Sequence, residues 1–203
     1  MTTPTRLRPT AKAVATRAAL IEIAAEMFAT DGYLQTSIRD IAHQASLTTG
    51  AIYGHFRNKA ELLAEAISSR TASDLESIPA TSTREPQHVD VLRRAALRFT
   101  ERRQLRSLIV QGAAASLTDT ETRDRLRSEQ LEHLQSWIDR YETNREALGI
   151  DPSVDIRDAV LFTWAAEVGL GVLEAVGISP RSKSSWADIF ARFGRSLSLP
   201  QNG

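Results

Sequence analysis

Residues 36–56 read TSIRDIAHQASLTTGAIYGHF. Ile38, Ile41, Ala42 and Ala45 are spaced i, i+3, i+4, i+7, which puts them on one face of a helix. Ser37 with Asp40 three residues on predicts a capping box at its start, with Thr36 as a rival cap. A brief turn at Ser46-Leu47 is followed by a second short helix, from Thr48 or Thr49 to His55 or Phe56, with Ile52 and Phe56 inward. Upstream, Leu20, Ala24, Met27 and Phe28 mark a supporting helix that begins near Val14 and stops at Asp31-Gly32. Two short amphipathic helices on a tight turn, backed by a third, predict a helix-turn-helix.

That geometry sets the second short helix in a major groove with its N-terminal end toward the bases. The outward residues are then Thr48, Thr49, Ala51, Tyr53 and His55. Threonine hydroxyls donate or accept, and threonine or alanine methyls pack on the thymine methyl. A tyrosine hydroxyl reaches a phosphate, and Lys59, at the start of the next helix, suits the DNA backbone. Gly50 allows close approach.

Composition narrows the classes. The chain has 203 residues with 25 Lys plus Arg against 25 Asp plus Glu, so it is not a globally basic polymer binder. Within the first 59 residues, however, seven basic residues face four acidic ones. The basic N-terminal module is thus set against a slightly acidic body. Cysteine is absent, which excludes thiol catalysis, disulfides and cysteine metal sites and fits a cytoplasmic protein. The N-terminus lacks the apolar stretch of a signal peptide. Glu167 and Glu174 interrupt the most apolar run, 159–176, so no membrane span is expected.

Beyond the module the pattern stays helical. Residues 1–12 read as a basic arm, with Pro4 and Pro9 opposing helix. Asn58 and Glu61 form a cap pair for a helix carrying Leu62, Leu63, Ala66 and Ile67. The stretch 78–88, IPATSTREPQH, reads as a linker. Leu92, Ala96 and Phe99 mark a helix, and Leu105, Leu108 and Ile109 mark another. Thr118 and Glu121 cap a long one that ends at Gly149. Residues 155–176 carry two apolar stripes, Leu161, Trp164, Ala165, Val168, Val172 and Phe162, Ala166, Gly169, Leu173, Val176, which predicts burial against two neighbours. The last helix opens at Ser184 or Ser185. The expected fold is all-α with about nine helices: arm 1–12, DNA-binding domain 13–57, and ligand-binding and dimerisation domain 58–203.

The stretch TSIRDIAHQASLTTGAIYGHFRNKAELL (36–63), preceded by AAEMFATDGY (24–33), closely resembles the TetR/AcrR family of transcriptional regulators. Tyr-x-His-Phe at 53–56 and Asn-Lys-x-Glu-Leu at 58–62 carry much of the likeness. It covers about the first 60 residues; the rest matches in helix number and length. The resemblance implies phosphate contacts from Arg17, Thr36, Tyr53 and Lys59, and groove contacts from Thr48, Thr49, Ala51 and His55. Arg6 and Arg8 of the arm would enter the adjacent minor groove. Gly54 departs from relatives that carry a larger side chain there, shifting base reading toward Thr49, Ala51 and the arm.

The family likeness further implies a homodimer built from the last two helices, through Trp164, Val168, Val172, Trp186, Ile189, Phe190 and Phe193. It implies a largely apolar small-molecule effector held by Phe99, Leu108, Gln111, His133, Leu134, Trp137, Tyr141, Phe162 and Glu167. The expected function is a ligand-released repressor on a palindromic operator in double-stranded DNA. The competing reading is a protein of the same fold that senses no small molecule and acts through protein partners or chromosome architecture. Enzymatic motifs are missing: no G-x-S-x-G and no phosphate-binding G-x-x-x-x-G-K-[ST]. Glu129 and His133, at i and i+4, resemble half a metal site without a second histidine, so neither metal nor cofactor is expected.

Overall fold

The computed structural model describes residues 10–76 and 87–199. Among them lie ten helices and no strand, which is the all-α class expected. The arm residues Arg6 and Arg8 and most of the linker fall outside the described residues.

Helix α1 (Ala11–Thr30) is capped by Thr10, whose hydroxyl accepts the Ala13 N–H. Gly32 follows at φ 94°, a backbone only glycine adopts readily. Helix α2 (Ile38–Gln44) starts in the expected capping box, with Ser37 and Asp40 each satisfying the other's N–H. Ser46 takes φ 54° in the turn, and α3 (Thr49–Tyr53) is capped by Thr48. Helix α3 is shorter than expected, because His55 and Phe56 both turn back onto the Ile52 carbonyl. Helix α4 (Lys59–Glu76) begins where Asn58 accepts from Glu61 N–H at 2.7 Å, while Glu61 accepts from Arg57 N–H.

The body holds α5 (Gln87–Leu97), α6 (Arg103–Ser116), α7 (Thr120–Thr143), α8 (Arg145–Leu148), α9 (Ile156–Ala175) and α10 (Lys183–Ser196). Three boundaries differ from expectation. Asp119, not Thr118, caps α7 by accepting the Glu121 N–H. The long helix breaks at Asn144, whose side-chain amide donates to Arg140 O, and a separate turn α8 ends in Gly149 at φ 71°. Ser182 rather than Ser184 or Ser185 caps α10.

One apolar core joins the helix-turn-helix to α4, α6 and α7 of the body. Leu20, Phe28, Ile41 and Ile52 from the first three helices, with Phe56 just after them, meet Leu63 and Ile67 of α4, Leu105 and Leu108 of α6, and Leu126 of α7. Helix α6 is the hub, packed on α1, α4, α7 and α9. At Gly171 of α9 an added Cβ would lie 3.0 Å from Arg106 Cβ, so α6 and α9 touch almost backbone to backbone. A second core joins α5 to α10 through Ala96, Ala187 and Phe190. His88, wholly buried, ties these layers by hydrogen bonding Leu148 O at 2.7 Å and Gly194 O at 2.8 Å.

Candidate functional site

The helix-turn-helix presents an uninterrupted outer edge. Ser46, Leu47, Thr48, Thr49 and Gly50 are exposed, as are Tyr53, at 57 %, and Gly54. Ala51 and His55 are half-buried beside them. Only Ile52 of α3 enters the core, so its remaining side chains are available to a groove. Arg39, His43 and Gln44 of α2 are exposed too, and sequence reasoning missed them. Their signal was present, since they are the polar positions left over by the apolar stripe of that helix.

Three expected phosphate contacts are placed otherwise. Thr36 is 3 % exposed, and its hydroxyl donates to Gly32 O at 2.9 Å. Lys59 Nζ donates to Tyr33 O at 2.8 Å and Thr36 O at 3.1 Å, 4.3 Å from the centre of the Tyr33 ring. Burial lowers its basicity below that of an ordinary lysine. Arg17 pairs with Glu65 at 2.6 Å and lies 4.9 Å from the Phe56 ring centre. Lys59 and Arg17 thereby lock the module to α4, through the Tyr33 and Thr36 carbonyls and through Glu65.

Gln111 of α6 completes the attachment. Its amide donates to Phe28 O at 2.9 Å, and its carbonyl accepts the Tyr33 N–H. The Tyr33 ring, buried against Phe28, reaches Thr122 of α7 with its hydroxyl. Gln111 therefore fastens the helix-turn-helix to α6 and does not line the cavity among α5, α6, α7 and α9.

The cavity of the body measures about 140 Å³ and lies among α5, α6, α7 and α9, with Phe190 of α10 at its edge. His133, Leu134, Trp137, Tyr141 and Glu167, named on sequence as effector contacts, line it. Phe99 and Leu108 do not, because both are buried in packing. Phe162 does not either: it is 58 % exposed and lies over Phe193 with ring centres 4.6 Å apart. Conversely Trp164, Val168 and Phe190, expected at a dimer surface, line the cavity. Trp186 packs inward on Phe190. The outward face of α9 combines the two predicted stripes: Phe162, Ala165, Gly169, Val172, Leu173 and Val176. Ile189 of α10 is exposed as well.

Charge inside the cavity wall is organised by Arg106. It is 1 % exposed and binds Glu174 through Nε and Nη2, Phe99 O through Nη2, and Glu167 at 3.4 Å. Arg102 reaches the other Glu167 oxygen at 3.3 Å. His133 Nε2 takes a hydrogen bond from Trp137 Nε1 at 3.0 Å. An indole N–H only donates, so Nε2 is the unprotonated nitrogen. Burial, then the Arg102 charge, pushes His133 below its usual range, and burial pushes the Tyr141 phenol up to about 12. Glu129 pairs with Arg125 at 2.8 Å, and no group of three metal-ligating side chains occurs among the described residues. No described helix is long and apolar enough to cross a membrane.

A helix-turn-helix head on an all-helical body defines a DNA-binding regulator. Residues 20–66 match the family model for bacterial regulatory proteins of the tetR family. The HTH-type transcriptional repressor KstR2 of Mycolicibacterium smegmatis is 27 % identical over 156 residues, covering 72 % of this chain and 75 % of that one. The HTH-type transcriptional regulator TtgR of Pseudomonas putida is 48 % identical over 54 residues, but the match spans only 27 % of this chain and 26 % of that protein. A TetR transcriptional regulator from Chloroflexus aurantiacus superposes with TM-score 0.69 at 22 % identity, over 93 % of this chain and 98 % of the other. Salmonella enterica GusR superposes with TM-score 0.69 at 19 % identity, over 91 % and 96 %. The chain is thus similar to transcriptional regulators of the TetR/AcrR family, most specifically over residues 20–66.

Proposed function

We propose that the protein is a dimeric repressor that reads two half-sites on one face of double-stranded DNA and leaves when a small effector enters the body cavity. The observation that carries this reading is the exposed row Thr48, Thr49, Tyr53 on a helix whose only core residue is Ile52. Such a helix can be inserted into a groove without disturbing the fold. The name repressor, borne by the related KstR2, supports the sign of regulation.

In this reading residues 13–57 form the reading head and 58–203 the sensing and dimerising body. Thr48, Thr49, Ala51 and His55 read bases, and Tyr53 holds a phosphate. The arm, with Arg6 and Arg8, adds minor-groove contact. The second copy covers Phe162, Gly169, Val172, Val176 and Ile189. These positions are exposed and mostly apolar on α9 and α10, and a Cβ added at Gly169 would meet nothing within 4 Å. Half-sites one helical turn apart need two heads held about 34 Å apart, which one chain does not supply. Gln111, on the same helix as the cavity residues Arg106 and Ile109, carries a ligand-driven displacement of α6 to the start of α2 through Tyr33.

The test is selection of bound duplexes from a randomised library at about 0.15 M salt, where non-specific phosphate binding is weak. An enriched inverted repeat is expected. Absence of enrichment from folded dimer would overturn the reading.

A further inference from the structure

The cavity's own chemistry narrows what it can hold, given the reading of it as the effector site. Its wall is aromatic on one side. Trp137 and Tyr141 stack with ring centres 5.8 Å apart, and His133 meets Trp137 and Trp164 edge-on at 6.3 and 6.4 Å. The volume of about 140 Å³ is close to that of the cavity, roughly 150 Å³, known to admit one benzene ring. The polar side of the wall offers mainly donors. Arg98, Arg102 and Arg106 line it, against one lining carboxylate, Glu167. His133, unprotonated at Nε2 and neutral, carries its proton on Nδ1 as a further donor.

Glu167 is the loosest member of this network. Its contacts to Arg102 and Arg106 are 3.3 and 3.4 Å, whereas Arg106 holds Glu174 at 2.8–2.9 Å. An incoming acid can therefore exchange with Glu167 at Arg102 without touching the inner pair. A cationic ligand would meet the guanidinium groups of Arg102 and Arg106, a carboxylate already divided between them, and Arg98, which is paired with Glu101 at 2.8 Å.

We propose that the cavity binds a single-ring aromatic carboxylic acid, its ring against Trp137, Tyr141 and Trp164 and its carboxylate exchanged for Glu167 on Arg102. Exchange at Glu167 alters the α6–α9 contact next to Gly171.

The full-length dimer is titrated with benzoate, phenylacetate, methyl benzoate, benzylammonium and hexanoate, followed by tryptophan fluorescence and calorimetry. The two aromatic acids are expected to bind at least about tenfold tighter than the ester, the amine and the aliphatic acid, the scale of one charge-assisted hydrogen bond. Arg102→Met should abolish that preference while leaving ester binding unchanged. Arg102→Lys, which keeps the charge but not the fork, should show a partial loss and stands in if the first variant melts early. Equal or tighter binding of ester, amine or hexanoate, or saturation by none of them, overturns the proposal. DNA release is measured separately on the selected operator. Acid binding without release upholds the ligand class and overturns the effector reading. Release by neutral compounds with no acid binding does the reverse.

Discussion

Arg106 on α6 grips Glu174 on α9 through two bonds of 2.9 Å, Nε to Oε2 and Nη2 to Oε1, with both side chains almost wholly out of water. The pair sits where Gly171 lets the two helices come closest. Removing one partner strands the other's charge in the interior. Glu174→Ala should destabilise the protein by about 3–5 kcal/mol, whereas the double change Arg106→Met with Glu174→Leu should cost far less. Urea denaturation at fixed protein concentration separates the two outcomes.

Tyr53 offers the DNA backbone a neutral hydroxyl from an exposed position. Tyr53→Phe should weaken binding about fivefold, and by the same factor on cognate and altered half-sites, since a phosphate contact carries no sequence information. Thr49→Ala should instead lose affinity unevenly across substituted half-sites. Fluorescence anisotropy on a panel of labelled duplexes distinguishes a uniform from a sequence-dependent loss.

Val172 lies in the outward apolar face of α9. A carboxylate there would be buried without a partner in the proposed dimer, yet solvated in a monomer. Val172→Glu should sediment as a monomer with unchanged helical circular dichroism and should lose operator binding. A dimer that persists would remove this face from the interface.

His133 is held below its ordinary range by burial and by Arg102. The unfolded chain then binds more protons than the folded one in the window between the lowered folded value and the ordinary one near 6.5. Stability should fall as pH drops from about 7 through that window. His133→Gln should flatten this part of the melting-temperature profile between about pH 7 and 5 and leave the more acid, carboxylate-driven loss in place. Parallel melts across that range give the comparison.

Gln111 spans α6 and the end of α1 by bonding Phe28 O and the Tyr33 N–H. Gln111→Leu keeps the bulk and removes both bonds. Operator affinity should stay within about threefold, while the effector concentration needed for release should rise about tenfold, because the coupling between sites is a free energy separate from either affinity. Release titrations on a preformed complex would show unchanged midpoints if the link does not carry the response.

Much of the reading head was legible because its rules are local. The capping box at Ser37 and Asp40 and the cap pair Asn58 and Glu61 each depend on residues within three positions, and both form as expected. The phase of α9 was not legible. Both of its stripes are apolar, so periodicity gave the spacing of Trp164, Val168 and Phe162 without saying which side faces the cavity. The structure turns Trp164 and Val168 in and Phe162 out. Arg106 escaped notice for a related reason. A charged residue in a helix reads as solvated, and only the convergence of the sequence-distant Glu167 and Glu174 with the nearby Phe99 carbonyl makes its burial possible. Lys59 and Arg17 belong to the same class: their charge was visible, their inward partners were not.

Helix α3 commits one residue, Ile52, to the interior and leaves its neighbours outside it. Heritable change at Thr49, Gly50 or Tyr53 therefore carries little folding penalty, so on the proposed function a descendant can be retargeted to a new operator while its inducer stays the same. Change at Gln111 or Arg106 has no such freedom, because each is anchored at two or more points in the interior. Address and response should thus diversify at different rates: which genes such a regulator controls would drift quickly, and how it is switched would drift slowly.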